Sequence, residues 1–195
     1  MAAQPRHVWT EAEYLEFERS NDRKHEYFAG NVYAMTGASQ DHNRVAGSTF
    51  ASLYAQLRNR PCDLFSDNMR VKVQGDGLYT YPDLSIVCGK PQLEDTKFDT
   101  LLNPALIIEV LSPSTENYDR GEKFRLYRQI DSLQEYLLIA QDTPRIERYL
   151  RQPNHEWLLT EVSGLAATLE LPSIQCTLAL ADVYEKVTFE DMERT

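Results

Sequence analysis

The apolar residues of this chain fall into short runs whose spacing switches between a strand-like and a helix-like period. Two runs, Tyr81-Pro82-Asp83-Leu84-Ser85-Ile86-Val87 and Leu106-Ile107-Ile108-Glu109-Val110-Leu111, are largely apolar and rich in branched residues. Both read as buried strands. Strands are therefore predicted over 80–87 and 105–111, with others near 62–65 and 69–73. Three more are predicted over 135–140, 145–150 and 156–162, where Asp142-Thr143-Pro144 and Gln152-Pro153-Asn154 supply the intervening turns. Residues 25–28 and 32–36 flank Ala29-Gly30-Asn31, a hairpin signal.

The helix-like segments carry their own punctuation. Thr10-Glu11-Ala12-Glu13 has capping-box spacing, and Tyr14, Leu15 and Phe17 follow as an apolar face. Ser39 or Asp41 is placed to cap a longer helix, in which Ala46, Phe50, Leu53, Tyr54 and Leu57 form one stripe. After Ser112-Pro113-Ser114-Thr115 a helix is predicted over 118–130, with Phe124, Tyr127 and Ile130 on its apolar side. From Leu171 onward the pattern predicts no element. No repeat or linker interrupts the chain, so a single domain spanning 1–195 is expected, an α/β (α+β) protein with a central mixed β-sheet flanked by helices.

Bulk numbers narrow the class without choosing a function. At 195 residues a domain buries roughly two-thirds or more of its unfolded surface. No apolar run approaches the roughly 20 residues a membrane helix needs, and the first residues lack the apolar core of a signal peptide. A cytoplasmic protein with no membrane partner is expected. Cys62, Cys88 and Cys176 are widely spaced, with no CxxC pair, which predicts buried thiols in a reducing compartment and neither disulfides nor zinc ligands. The net charge of −10 argues against a protein that coats nucleic acid by charge alone. Arg120, Lys123, Arg125 and Arg128 against Asp119 and Glu122 make a locally basic segment, whose default reading is a solvated helix face.

The chemistry lies in two misfits. Each of the two central strands carries one acid where the pattern calls for a hydrophobe, and an ionised carboxylate in an apolar strand is costly unless paired. Alternation puts Ile107, Glu109 and Leu111 on one face, and Asp83 on a face with Ser85 and Val87. If these strands pair, Asp83 and Glu109 converge, and like charges so close call for a cation between them. Oxygen-only ligation suits Mg²⁺ or Mn²⁺, which takes its remaining ligands from water and phosphate. An ammonium nearby would neutralise charge building on a phosphoryl group. The competing readings are a turn aspartate after proline for Asp83 and a salt bridge to Arg70 or Arg125 for Glu109. For Glu26 the competitor is a cross-strand pair, and for Lys123 a surface position. His42, near a helix start, reads as structural or solvated. There is no Gly-x-Ser-x-Gly elbow and no phosphate-cradling glycine loop.

The combination Pro82-Asp83, Glu109-Val110-Leu111-Ser112-Pro113-Ser114, Asp119, Lys123 and Tyr127 resembles the Uma-two family of "putative restriction endonucleases". The likeness extends to His25-Glu26-Tyr27-Phe28-Ala29-Gly30 and Met35-Thr36-Gly37-Ala38-Ser39, with His42 following, and so covers about 10–180. It implies a restriction-endonuclease-like fold of the PD-(D/E)XK type and metal-dependent hydrolysis of DNA. Asp83 and Glu109 would be metal ligands and Glu26 a further acid near them. Catalysis would then rest on Asp83, Glu109 and Lys123, with Mg²⁺ or Mn²⁺ as cofactor, DNA as substrate and a homodimer as the working unit. One departure matters: in the general nuclease pattern a lysine stands two residues after the second acid, where this chain has Leu111. Lys123 on the following helix is the substitute expected to reach the same space. The rival expectation is a non-catalytic nucleic-acid- or protein-binding module on a nuclease-like scaffold. It draws on the net charge of −10 and on Leu111.

Overall fold

The first three elements follow from local rules. In the computed structural model, which describes residues 7–75, 77–97 and 99–189, Thr10 caps helix α1 (Glu11–Arg19) through a reciprocal capping box with Glu13. The inner side of α1 is Tyr14, fully buried against Tyr27 and Tyr79, whereas Leu15 and Phe17 are only partly covered. Strands β1 (His25–Phe28) and β2 (Asn31–Ala34) pair with Phe28 opposite Asn31. The turn is thus Ala29-Gly30 alone, one residue shorter than predicted. Both residues have positive φ, 48° and 79°, the requirement of the two-residue turn that matches strand twist.

Helix α2 (Gln40–Leu57) is capped by Ser39, whose hydroxyl accepts the His42 amide at 3.1 Å. Its buried stripe is Val45, Thr49, Leu53 and Leu57. Tyr54, expected on that stripe, is 57% exposed and stacks on Phe50. It lies about 100° around the helix from Leu53, and that step turns it away from the core.

Two mixed sheets carry the rest. The larger has the order β11-β10-β9-β8-β6-β3, built from β3 (Cys62–Ser66), β6 (Leu84–Cys88), β8 (Leu106–Leu111), β9 (Glu135–Ala140), β10 (Arg145–Arg151) and β11 (Trp157–Ser163). The smaller has the order β2-β1-β5-β4-β7, adding β4 (Arg70–Val73), β5 (Leu78–Thr80) and β7 (Thr100–Leu101). The strand predicted over 80–87 is in fact two. β5 lies in the small sheet and β6 in the large one, so Tyr81-Pro82-Asp83 crosses between them. Pro82 has no amide hydrogen to give a ladder, and the break falls there.

Only β8 and β9 run parallel within the large sheet. A parallel pair needs a crossover, here a helix in three parts: α3 (Glu116–Tyr118), a π-helical turn (Asp119–Lys123) and α4 (Phe124–Tyr127). Leu106, Ile108 and Val110 pack with α2 on one face of the sheet, Ile107 and Leu111 with Phe124 and Tyr127 on the other. The alternation expected for 105–111 is therefore present, and Glu109 projects onto the crossover side. The tail that the pattern left open forms hairpin β12 (Thr168–Leu171) and β13 (Cys176–Ala179) with helix α5 (Leu180–Val183). Its Leu169, Leu171, Leu178 and Val183 close the α2 face of the core.

The cysteine expectation is corrected. Cys62 and Cys88 are cross-strand neighbours in the β3–β6 ladder and form a disulfide, leaving Cys176 as a buried free thiol. Their separation of 26 residues gave no hint, because antiparallel register and not spacing brings them together. The compartment inferred from three thiols loses its basis. Among the described residues no helix is long and apolar enough to cross a membrane.

Candidate active site

Strand register brings the two acids together. Leu84 of β6 faces Ile108 of β8, so Asp83, just before β6, stands beside Glu109. The Asp83 amide donates to Glu109 Oε2 at 3.4 Å, and the Val110 amide donates to Asp83 Oδ2 at 2.7 Å. Each acid is thereby tied to the backbone that carries the other. The first turn of α2 adds His42, whose Nε2 lies 3.4 Å from Asp83 Oδ2. His42 Nδ1 is buried without a hydrogen-bond partner.

The crossover helix supplies the base. Lys123, buried at 5% exposure, sets Nζ 2.9 Å from Glu109 Oε1, 3.3 Å from Glu26 Oε1 and 3.6 Å from Asp119 Oδ1. Asp119 and Lys123 are the first and last residues of the π turn, a local widening frequent at functional sites. The Tyr136 hydroxyl donates to the Asp119 carbonyl at 3.1 Å, giving an acceptor of that distorted turn a partner. The Tyr127 hydroxyl donates to Glu109 Oε1 at 2.8 Å, and Thr80 donates to Glu26 Oε1. Glu26 comes from β1 in the smaller sheet, so the cluster spans both sheets and the crossover.

This cluster holds more acid than base. Burial pushes the Glu109 carboxyl up to about 8, with Asp119 and Asp83 adding to the rise and Lys123 opposing it. Burial likewise raises Asp119, against the pull of Lys123. Burial opposes the charge on Lys123, but Glu109, Glu26, Tyr127 and Asp119 together hold its affinity for a proton well above the ordinary lysine value. His42 is also raised: its burial is outweighed by Asp83 and the Val110 backbone.

The residues expected at a site thus meet: Asp83, Glu109 and Lys123 directly, Glu26 through Lys123. The partner of Glu109 is neither Arg70 nor Arg125. Arg70 engages Asp99, Thr100 and Tyr81, and Arg125 pairs with Glu122. The basic segment is largely neutralised on the spot, since Arg120 pairs with Glu116 and Glu147. Thr80 and His42 were missed as site residues. For Thr80 the signal is its place in β5, which pairs with the strand of Glu26; for His42 no sequence pattern aims the start of α2 at the β6–β8 ends. Among the described residues no group of three or more His, Cys, Asp or Glu side chains is arranged to hold a metal ion.

The fold is nuclease-like. A crystal structure described as "a putative nuclease belonging to DUF820" from Anabaena variabilis ATCC 29413 superposes with a TM-score of 0.72 over 89% of this chain and 96% of that one. The two are 18% identical, so the likeness speaks to fold alone. Residues 11–181 match Uma2, "Putative restriction endonuclease", and the chain belongs to that family. Two relatives from Synechocystis sp. (strain ATCC 27184 / PCC 6803 / Kazusa) are "Uncharacterized protein slr1290" and "Uncharacterized protein sll1609". The first is 36% identical over 91% of this chain and 92% of its own length; the second is 37% identical over 84% and 92%.

Proposed function

We propose that this protein is a metal-dependent endonuclease that hydrolyses DNA phosphodiester bonds. The observation that carries the reading is the convergence of Asp83 and Glu109 at adjacent strand ends with the Lys123 ammonium 2.9 Å from Glu109, in a chain of the Uma2 family. The donor chemistry fits Mg²⁺ or Mn²⁺, because both acids offer hard oxygens and such ions settle for one or two protein carboxylates. The setting fits as well: burial pushes the Glu109 carboxyl up to about 8, with Asp119 and Asp83 adding to the rise, and a bound cation would favour its ionised form. Asp83 and Glu109 would hold the ion, which when bound lowers the pKa of water and offsets charge on a phosphoryl oxygen.

The chain's own groups do the rest. The Val110 amide and His42 fix one oxygen of Asp83, and Tyr127 fixes Glu109 Oε1. Such supports set the direction in which each carboxylate presents its charge. Lys123 brings a permanent positive charge into a sealed site, where it is worth more against a developing oxyanion than in water. Two copies of the chain would serve to cut both strands, so a homodimer belongs to the proposal.

The test compares wild type and Glu109→Ala for Mg²⁺- or Mn²⁺-dependent cleavage of plasmid and linear DNA. A fall of more than about a hundredfold in the variant is expected, the scale of losing one preorganised charge-stabilising group. Equal activity in both proteins, or none in wild type across substrates and both ions, overturns the reading. A non-catalytic binding module is the second reading, favoured by the pairing of Arg120 and Arg125 with acids and by the net charge of −10. DNA retention without cleavage would select it.

A further inference from the structure

We propose that Glu26 is a positioning residue, the second seat of Lys123, and not a ligand of the cation. This inference rests on the reading of Asp83 and Glu109 as the cation-holding pair. Lys123 Nζ lies closest to Glu109, at 2.9 Å, with Glu26 at 3.3 Å and Asp119 at 3.6 Å. The ammonium therefore neutralises the very carboxylate that a cation would use. Two positive charges sharing one carboxylate repel strongly in a sealed site. Lys123 cannot leave for water either, because its side chain is buried. Glu26 and Asp119 offer it a place within a short side-chain shift.

The architecture of Glu26 suits that task. Its carboxylate is held by the Thr80 hydroxyl on the neighbouring strand of the smaller sheet, so it reaches Lys123 from a different sheet than the one that carries Glu109. It joins Asp83 and Glu109 in no three-donor group that could hold a metal ion among the described residues. As a seat, Glu26 draws Lys123 off Glu109 when the cation arrives and keeps the ammonium within reach of a phosphate. Mounting the lysine on a helix makes this exchange available, because a long side chain anchored there spans both carboxylates.

A double-mutant cycle on Mn²⁺ affinity tests the proposal, read by calorimetry without nucleic acid in wild type, Glu26→Gln, Lys123→Met and the double variant. Glu26→Gln is expected to weaken Mn²⁺ binding about tenfold when Lys123 is present, the scale of losing a supporting partner. In the Lys123→Met background the same change is expected to stay within about twofold, because without the lysine Glu26 has nothing to seat, and that departure from additivity is the coupling the cycle reads. An equal loss in both backgrounds makes Glu26 a ligand and overturns the proposal, as does no loss in wild type. If Lys123→Met fails to fold by circular dichroism, a crystal structure of wild type with Mn²⁺ decides. Lys123 on Glu26 and off Glu109 supports the proposal; Lys123 still on Glu109, or Mn²⁺ on Glu26, overturns it. Wild type that binds no Mn²⁺ overturns both this inference and the metal reading, whereas binding lost in Asp83→Asn without any Glu26–Lys123 coupling overturns the seat alone.

Discussion

Two buried cations, Lys123 and Arg70, sit in clusters that look alike and behave oppositely. Arg70, 2% exposed, meets Asp99 at 2.9 Å, and Asp99 is shared with Arg19. Nearby, Lys72 bridges Glu11 and Glu94, both of which also accept from Tyr79. These acids are partly open to water, and their cations win: Arg19, then Arg70, holds Asp99 well below the usual carboxylate range, and Lys72 lowers Glu11. Around Lys123 the acids outnumber the base, and the two that are closed off from water, Glu109 and Asp119, move up. The first cluster is a clamp that ties α1, Glu94 and Asp99 to the smaller sheet. The second is held short of positive charge, which is the condition expected where a cation or substrate is to be received.

The largest effect that separates the two should come from removing each cation. Lys123→Met strands buried carboxylates and should cost about 3–5 kcal/mol of stability. Arg70→Met leaves Asp99 with Arg19 and some water, and should cost about 1–2 kcal/mol. Urea unfolding of both variants decides; equal losses would erase the distinction. A smaller contrast lies in the tyrosines. Tyr127→Phe removes a donor from buried Glu109, and about 1.5–3 kcal/mol should be lost, as for a hydrogen bond to a charged group. Tyr79→Phe, whose acceptors keep Lys72 and partial solvent, should lose about 1 kcal/mol.

The smallest and most diagnostic contrast is the sign of the pH dependence in metal-free protein. Asp99 titrates lower folded than unfolded, so its contribution is present above the ordinary 3.8 and lost as pH falls below it. Glu109 titrates higher folded than unfolded, so it is more protonated in the native state. Its contribution therefore declines as pH rises from the ordinary 4.5 towards about 8. Stability curves of Asp99→Asn and Glu109→Gln against wild type should flatten in those opposite windows. A Glu109→Gln curve parallel to wild type between 4.5 and about 8 would remove the claim that folding raises this carboxyl.

How much of this was legible in the chain depends on whether a signal was local. The alternation around Glu109 and the capping box at Thr10 were readable because side-chain period and cap geometry are set within a few residues. Asp83 was readable as an acid out of place, but not as a bend between two sheets, because a proline break looks the same inside one long strand. Lys123 could be promoted only by its position relative to the acids and by the family resemblance, since Leu111 occupies the expected position and a helical lysine is by default solvated. The cross-strand disulfide, the role of His42 and the tail hairpin all depend on register or on which faces meet. Those are decided by the packed whole, and no spacing encodes them.

The site gathers residues 26, 83, 109 and 123, and that scatter bears on how the molecule reaches its native state. The ion pairs of the lysine with Glu26 and Glu109 join distant parts of the chain, while Asp119, Tyr118 and Tyr127 approach it from its own crossover. Closing such distant pairs costs chain entropy before any contact returns it, and the parallel β8–β9 pair adds a crossover to wait for. The charged cluster is therefore expected to form after the local helices and the first hairpin, an order that pulse-labelled hydrogen exchange during refolding would check. A partly folded chain would hold acids without their lysine, so under the proposed reading any cleavage would await completion of the fold.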